Sequence, residues 1–463
     1  MMCPYLGALN EFLQKPPRTT GKTGMFEEMY KQKRMRAEEA VNCIAKEGNI
    51  ALSWGPSQPP SLLNALAARG RKGEIDKLHV YYLHSYKSAF DSIFAPDLLD
   101  IFRPVPMSGL SELDREMLQA GLKENKKLLS VLPTNFSEIP RLFESGKIPL
   151  DTFMLTVAPM DKGGNFSLGI SNAYSLMAAR HCKNLIVEVN KYMPRVFGEA
   201  SLHISEIDAL VENDQPIDEI PARANTEEDN KIGQYIVERV PDGATIQLGI
   251  GGIPNAICES LVHHKDLGIH TELFCSGMVD LIEQGVVTGL CKKLNRGKHV
   301  YTICLGDKRT YDFIDDNASV EAYPVSYVNN FNTISQFKNF MSINSAVQVD
   351  FFGQINAEFI GGRTYSGVGG QNDFVRGALA SEGGRSFIAF SSTAKKGTVS
   401  RIVPIINKAA TDLRMDAHYI VTEYGIVDVK GLTTAQRTKA LIGIAHPKFR
   451  EELLSIAKRE RYI

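Results

Sequence analysis

The chain reads as an α/β protein of two sizeable domains; two observations predict this, and a third, if it marks a true repeat, makes them related open α/β domains with a site where they meet. The first is length: 463 residues exceed what one hydrophobic core organises, since single cores stop growing near 250–300 residues. The second is alternation of short β-rich runs with helix-patterned stretches, the order that builds βαβ units and largely parallel sheets. The third is an internal echo. GNIALSWGPSQPPSLLNAL from Gly48 and GATIQLGIGGIPNAICESL from Gly243 share a β-run and a Gly-containing turn, and each carries a proline at the same offset, Pro59 and Pro254. Apolar positions then match, Leu62 and Leu66 against Ile257 and Leu261. Any strand–turn–helix unit with a proline at its helix start looks similar, so a true repeat and a coincidence both stand at this point.

In chain order, MMCPYLGALNEFLQKPPRTTGK lacks the continuous apolar region and cleavage site of a signal peptide. It is read as a loosely ordered lead. MFEEMYKQKRMRAEEAVNCIAKEG carries a helical pattern, with KQKRMR at 31–36 as its solvated face. Strands are predicted at NIALSW, KLHVYYLH, TFMLTVAPM and NLIVEVN in the first half. In the second half they are predicted at ATIQLGI, HVYTICLG, AVQVDFFG, SFIAFSS and HYIVTEYG, with a helix at PNAICESLVHH. The stretch 211–230 is acidic, holds two prolines and has no period. The organisation expected is therefore a first domain over 1–215, a linker over 216–230 and a second domain over 231–463.

Composition excludes several classes. A net charge of -1 from 52 basic and 53 acidic residues leaves no footprint for nucleic acid. Seven cysteines without a CxxC pair indicate neither a disulfide framework nor a zinc site, and imply a reducing, cytoplasmic compartment. No apolar run approaches the ~20 residues of a membrane helix.

Three stretches carry chemistry. LGIHTELFCSG runs an apolar strand into a carboxylate, Glu272, and then into small residues. LGIGGIP, with Gly249, Gly251 and Gly252, follows a strand and opens a helix, where backbone N–H groups suit a phosphate or an oxyanion. A dinucleotide fingerprint is the tempting reading, since Glu272 falls 20 residues after Gly252, but Pro254 stands where the third glycine belongs. A tight turn with no ligand competes with both. YSGVGGQNDFVRGA places Gly367, Gly369 and Gly370 before Gln371, Asn372 and Asp373, a density that permits close backbone approach to a ligand. Glu423 in IVTEYG also ends a strand beside a glycine, and His270 lies two residues from Glu272 on the same strand face. The first is read as a structural hydrogen-bonding acid and the second as a packed histidine, yet the residues alone do not choose Glu272 uniquely. Lys395 and Lys396 are candidates for phosphates or an exposed loop.

Taken together, VNKYMPRVFGEASLHISEID, LGIGGIPNAI, HTELFCSGMVDLIEQGVVTG, PVSYVNN, SINSAVQVDFFGQINAE, SGVGGQNDFVRGA, STAKKGTVSRIVP and HYIVTEYGIVDVKGLTTAQRTKALIGIAHPKFREEL resemble, in order and spacing, the acetyl-CoA hydrolase/transferase family of class I CoA-transferases. Within it they are most similar to the 4-hydroxybutyrate type. The resemblance implies two NagB/RpiA/CoA-transferase-like domains, an active site between them and a homodimer. It implies coenzyme A as a substrate thioester with no metal, and an acyl-CoA and a short-chain carboxylate as partners. It further implies Glu272 as the catalytic nucleophile, with the Asn329 side chain and the Gly370 N–H as oxyanion donors. Gly249, Gly251, Gly252, Gly367, Gly369, Gln371 and Lys395 are then residues that meet CoA or substrate. A glutamate with an ordinary pKa of ~4.3 is ionised at neutral pH and needs no base to attack.

The first half departs from the family pattern, reading SWGPSQPP after its first strand and FRPVPMSG near 103. The acid that accepts CoA therefore stays open: 4-hydroxybutyrate first, then itaconate, succinate, butyrate or acetate. Thioester hydrolysis on the same scaffold and a non-catalytic metabolite- or nucleotide-binding α/β protein are the other classes the sequence allows.

Overall fold

The structure, a computed structural model, describes residues 24–220 and 223–463; the expectation of a loosely ordered lead lies outside the described residues. Two mainly parallel sheets dominate. The strands of these sheets are, in chain order, β1 Glu47–Leu52, β2 Lys77–Tyr82, β3 Phe102–Pro106, β4 Leu150–Val157, β5 Cys182–Val189, β6 Phe197–Gly198 and β7 Ala209–Glu212. The second half supplies β8 Thr245–Gln247, β9 Gly268–Phe274, β10 His299–Cys304, β11 Val320–Ala322, β12 Phe340–Asn344, β13 Arg385–Ala389, β14 Tyr419–Thr422 and β15 Gly425–Asp428. Continuous apolar runs make such strands because both faces are covered; all six residues of β10 are buried.

The first sheet has the order β3-β2-β1-β4-β5-β7, and the second β15-β14-β13-β12-β8-β9-β10-β11-β6. Setting aside β6, β11 and β15, both sheets place their third, second, first, fourth, fifth and sixth strands side by side, paired in parallel. The internal echo is thus matched by topology. β1 and β8 occupy the same sheet position, and each runs through a turn into a helix, Pro60–Arg71 and Gly252–Ser260. The prolines differ in role, however: Pro59 is the N-cap of its helix, whereas Pro254 sits inside the first turn of the other.

Two expectations are corrected, and one predicted strand stands apart from the main sheets. The N-terminal helical pattern breaks after Met25–Lys33 and resumes at Ala37–Ala40, because Met35 N–H donates to Leu210 O at 3.0 Å and pulls the chain extended along β7. The stretch 211–230 is not all connection: it starts inside β7 and ends in the first turn of the helix Glu227–Val237, which Thr226 and Asp229 close with a capping box. AVQVDFFG forms a strand outside both large sheets, Gln348–Asp350, in a small patch with Ile355–Asn356 and Ile402–Val403.

The halves interlock. β6 belongs to the first half by sequence and edges the second sheet against β11. Ser171 bridges to Ile303, and Asn172 and Ala173 N–H both reach Thr302 O, at 3.0 and 3.1 Å. Among the described residues, no helix is long and apolar enough to cross a membrane.

Candidate active site

Glu272 sits near the carboxyl end of β9, where ligands gather in open α/β sheets. Gly268 to Thr271 are buried, and Glu272 and Leu273 emerge only partly before Cys275 caps the helix Ser276–Glu283. The strand fixes the carboxylate rigidly, because Thr271 below it is buried and its hydroxyl donates to Leu248 O at 3.2 Å.

Two elements meet this carboxylate. Asn329, fully buried at the end of the short helix Val325–Val328, donates its Nδ2 to Glu272 Oε2 at 2.6 Å. Its neighbour Asn330 turns away to cap Phe331–Ile334. Gly370, the N-cap of the helix Gln371–Ala380, offers its backbone N–H to the same group. A side chain at Gly370 would overlap both Glu272 Oε2 and Asn329 Nδ2, so only glycine lets the loop come this close.

Burial dominates the electrostatics. It lifts the Glu272 carboxyl to about 7, assisted by the nearby charge of Asp373 and opposed by Asn329 and the Gly370 N–H. The expectation of an ordinary, fully ionised glutamate is corrected here. Asp373 is itself raised to about 7, again first by burial, while it accepts Ser137 Oγ at 2.9 Å from the first half.

The first half supplies the facing wall. Gly369 N–H donates to Ser108 O at 3.0 Å, and Phe136 N–H donates to Gly369 O at 3.0 Å. Gly367 is pressed against the Ser108 carbonyl so tightly that a Cβ would overlap it. Both departures noted in the sequence converge here. Trp54 of SWGPSQPP donates its Nε1 to His84 Nδ1 at 3.1 Å, and His84 Nε2 lies against Gly109 of FRPVPMSG.

The remaining candidates divide. Gly251, Gly252 and Lys395 line one cleft of about 830 Å³ with Lys396, Arg223 and Glu423. Gly249 lies in the turn that leads from β8 to this cleft. Glu423 accepts Ser392 N–H at 2.8 Å and Ser392 Oγ at 2.5 Å, a structural use of the acid. His270 is buried against Phe337 and hydrogen-bonds Val328 O at 2.7 Å, away from Glu272, and burial takes it down to about 3. Gln371 turns from the cleft and spends its amide on Asp412 at 2.6 Å. Sequence reasoning named none of Ser108, Ser137 and Asp412 as a site residue; Ser108 stood in FRPVPMSG and Asp373 in the glycine-rich stretch, both already singled out, whereas Ser137 and Asp412 stood in neither. No group of three or more His, Cys, Asp or Glu side chains suited to a metal occurs among the described residues.

Family models for the acetyl-CoA hydrolase/transferase N-terminal and C-terminal domains match residues 19–221 and 306–457. The 4-hydroxybutyrate coenzyme A transferase of Clostridium kluyveri is 39% identical over 94% of this chain and 99% of its own length. The chain belongs to the acetyl-CoA hydrolase/transferase family of CoA-transferases. Other members are as near: the succinyl-CoA:cyclohexane-1-carboxylate CoA transferase of Geobacter metallireducens is 39% identical over 94% of this chain and 97% of its own. The crystal structure of RipA from Yersinia pestis superposes with a TM-score of 0.91 at 44% identity, covering 95% of this chain and all of that one. In this CoA-transferase fold, the paired carboxylate, amide and glycine N–H lie where the second sheet faces the first half.

Proposed function

We propose that the enzyme moves CoA from an acyl-CoA such as acetyl-CoA to a short carboxylic acid, with 4-hydroxybutyrate the first candidate, through covalent intermediates on Glu272. The observation that carries this reading is the triple of Glu272, Asn329 Nδ2 at 2.6 Å and the Gly370 N–H.

A Glu272 oxygen attacks the thioester carbonyl, the C–S bond breaks, and CoA thiolate leaves an acyl-glutamyl anhydride. The thiolate then attacks the glutamyl carbonyl, giving a glutamyl-CoA thioester and freeing the first acid. The incoming carboxylate reverses both steps and departs as its CoA ester, which restores Glu272. Each tetrahedral intermediate places charge on an oxygen, and one well-aimed donor stabilises it by about 3–4 kcal/mol. Asn329 and Gly370, which contact Glu272 in the resting enzyme, are the donors in this reading. The cleft bearing Gly251, Gly252, Lys395 and Lys396 has the glycine turn for the thioester arm and cations for the phosphates of CoA.

The name of the Clostridium kluyveri relative supports 4-hydroxybutyrate. Hydrolysis is a second reading, favoured by the partial solvent exposure of Glu272, which lets water compete for the anhydride.

Incubation with acetyl-CoA and no acceptor, under thiol reductant, tests the mechanism. CoA should load onto the peptide containing Glu272, and Glu272→Ala and Glu272→Gln should lose both adduct and turnover while remaining folded. Cys275→Ser should keep both; its thiol is buried and pushed up to about 11, far from a reactive thiolate. An adduct that survives in Glu272→Ala removes this residue from the role. Free thiol released without any new CoA ester, across a panel of carboxylates, decides for hydrolysis.

A further inference from the structure

The glycine-rich loop 366–370 is tied at both ends to one small module, and that module holds a buried acid with no part in the chemistry above. At the loop's entry, Tyr365 and Ser366 N–H donate to Glu358 O at 2.7 and 3.1 Å. At its exit, Gln371 Nε2 and Asn372 Nδ2 donate to the two oxygens of Asp412 at 2.6 and 3.2 Å. Asp412 is fully buried. Its backbone is held by Ile355, through its N–H to Ile355 O at 3.2 Å and its O from Ile355 N–H at 3.1 Å. Thr411 ties the same module to the loop entry, donating its hydroxyl to Glu358 Oε2 at 2.8 Å.

A buried carboxylate without a cation destabilises a fold, and uncharged side chains fill such a place at less cost. The charged groups that face Asp412 are Glu358 and Asp416, both acidic, and burial raises it to about 6. What a carboxylate offers instead is geometry: two acceptor oxygens in a fixed fork and no donor of its own, so that both amides must point at it. These amides belong to the first two residues of the helix that Gly370 caps.

We propose that Asp412 is a positioning residue for CoA transfer: by holding Gln371 and Asn372 it sets the first helical turn and aims the Gly370 N–H at the oxygen that becomes the oxyanion. This rests on the reading of Gly370 given above. Loss of aim of about 1 Å costs on the order of 10²-fold in rate without altering ground-state binding.

The test is a double-mutant cycle on the full-length enzyme, following new CoA ester from acetyl-CoA. Asp412→Asn turns one acceptor into a donor and leaves one amide unpaired. It should lower kcat by roughly 10–100-fold while KM for acetyl-CoA stays within about threefold. Gln371→Ala should lower kcat in the same way, and the double variant should be no worse than the more damaged single one, because the two act as a unit. Unchanged kcat in Asp412→Asn, losses that multiply, or a change confined to KM would overturn the proposal. If Asp412→Asn does not fold, Gln371→Ala and Asn372→Ala decide it: a kcat loss at constant KM supports it and an unchanged kcat overturns it. Glu272→Ala runs alongside. Turnover that persists there sinks the reading of the site, whereas a dead Glu272→Ala beside a fully active Asp412→Asn sinks the positioning role alone.

Discussion

Glu272 is where one residue carries opposing demands. As the nucleophile of the proposed mechanism it would have to be ionised, yet burial and Asp373 lift its carboxyl to about 7. The attacking form is thus depleted below neutrality, and log kcat/KM should fall with unit slope as pH drops below about 7. A pH profile flat to pH 5 would contradict this. The same shift has a consequence for stability. The folded state holds the proton more tightly than the unfolded chain, whose carboxyl has pKa ~4.3, so stability falls as pH rises between these values and the cost is complete above the folded one. Glu272→Gln removes a charge that is expensive only when ionised. Because solvent partly reaches the carboxylate and screens the cost, a gain of about 1 kcal/mol, or roughly 1 °C in Tm for a cooperative unit of this length, is expected at pH 8. It should vanish by pH 4, and melting curves at the two pH values measure it. The sequence marked this glutamate as a strand-end acid and the resemblance gave it a role. Its raised pKa was not legible, because that depends on Asn329, Gly370 and Asp373, which are 57 or more positions away in the chain.

At the scale of the element, neighbouring glycines of the loop do different work. Gly370 has φ −98°, which any residue adopts, but an added Cβ meets Glu272 and Asn329. Gly369 has φ +56°, which favours glycine, while its Cβ would stay 3.8 Å from Glu272 Oε1. Gly370→Ala should therefore lose about 10²-fold or more in kcat with little change in Tm. Gly369→Ala should cost about 1 kcal/mol of stability and leave more of the activity. Equal effects on both readouts would refute the assignment. The density of glycines was legible as a sign of close approach. Which glycine served contact and which served backbone shape was not, since that needs the opposing atoms. The turn after β8 shows the converse: GIGGIP reads as an anion site from its glycines, yet Gly252 is pressed against Asp229, a packing demand invisible in the motif. The alternating strands were readable because burial on both faces forces apolar runs. The short strands β3, β6, β7, β11, β12 and β15 were missed, as were the broken N-terminal helix and the capped end of the linker, because pairing partners and caps decide them.

At the scale of the molecule, the repeat in the sequence became two sheets of one strand order, yet the halves do not behave as beads on a string. One core cluster joins Phe153, Tyr174 and Phe166 of the first half to Ile303, Leu305 and Val325 of the second. Another joins Ile170, Met193, Val196 and Ala200 to Phe274, Tyr301 and Val320. Backbone hydrogen bonds run through the same seam, Cys304 N–H to Ile170 O at 2.8 Å and Val325 N–H to Ala173 O at 2.8 Å, and β6 completes the edge of the second sheet. Independent domains meet through smaller, more polar surfaces that part without exposing a core. Here a cut between 1–215 and 231–463 opens two clusters and strips an edge strand. We propose that the chain unfolds as one cooperative unit despite its length. Calorimetry should show a single transition whose van't Hoff and calorimetric enthalpies agree. The fragment 231–463, lacking Ile170, Met193, Val196 and β6, should show no cooperative melting of its own. Two resolved transitions, or a fragment that melts cooperatively, would instead make the halves autonomous. The seam residues would then serve to align Glu272 with the Ser108 wall and would not be needed to hold either core together.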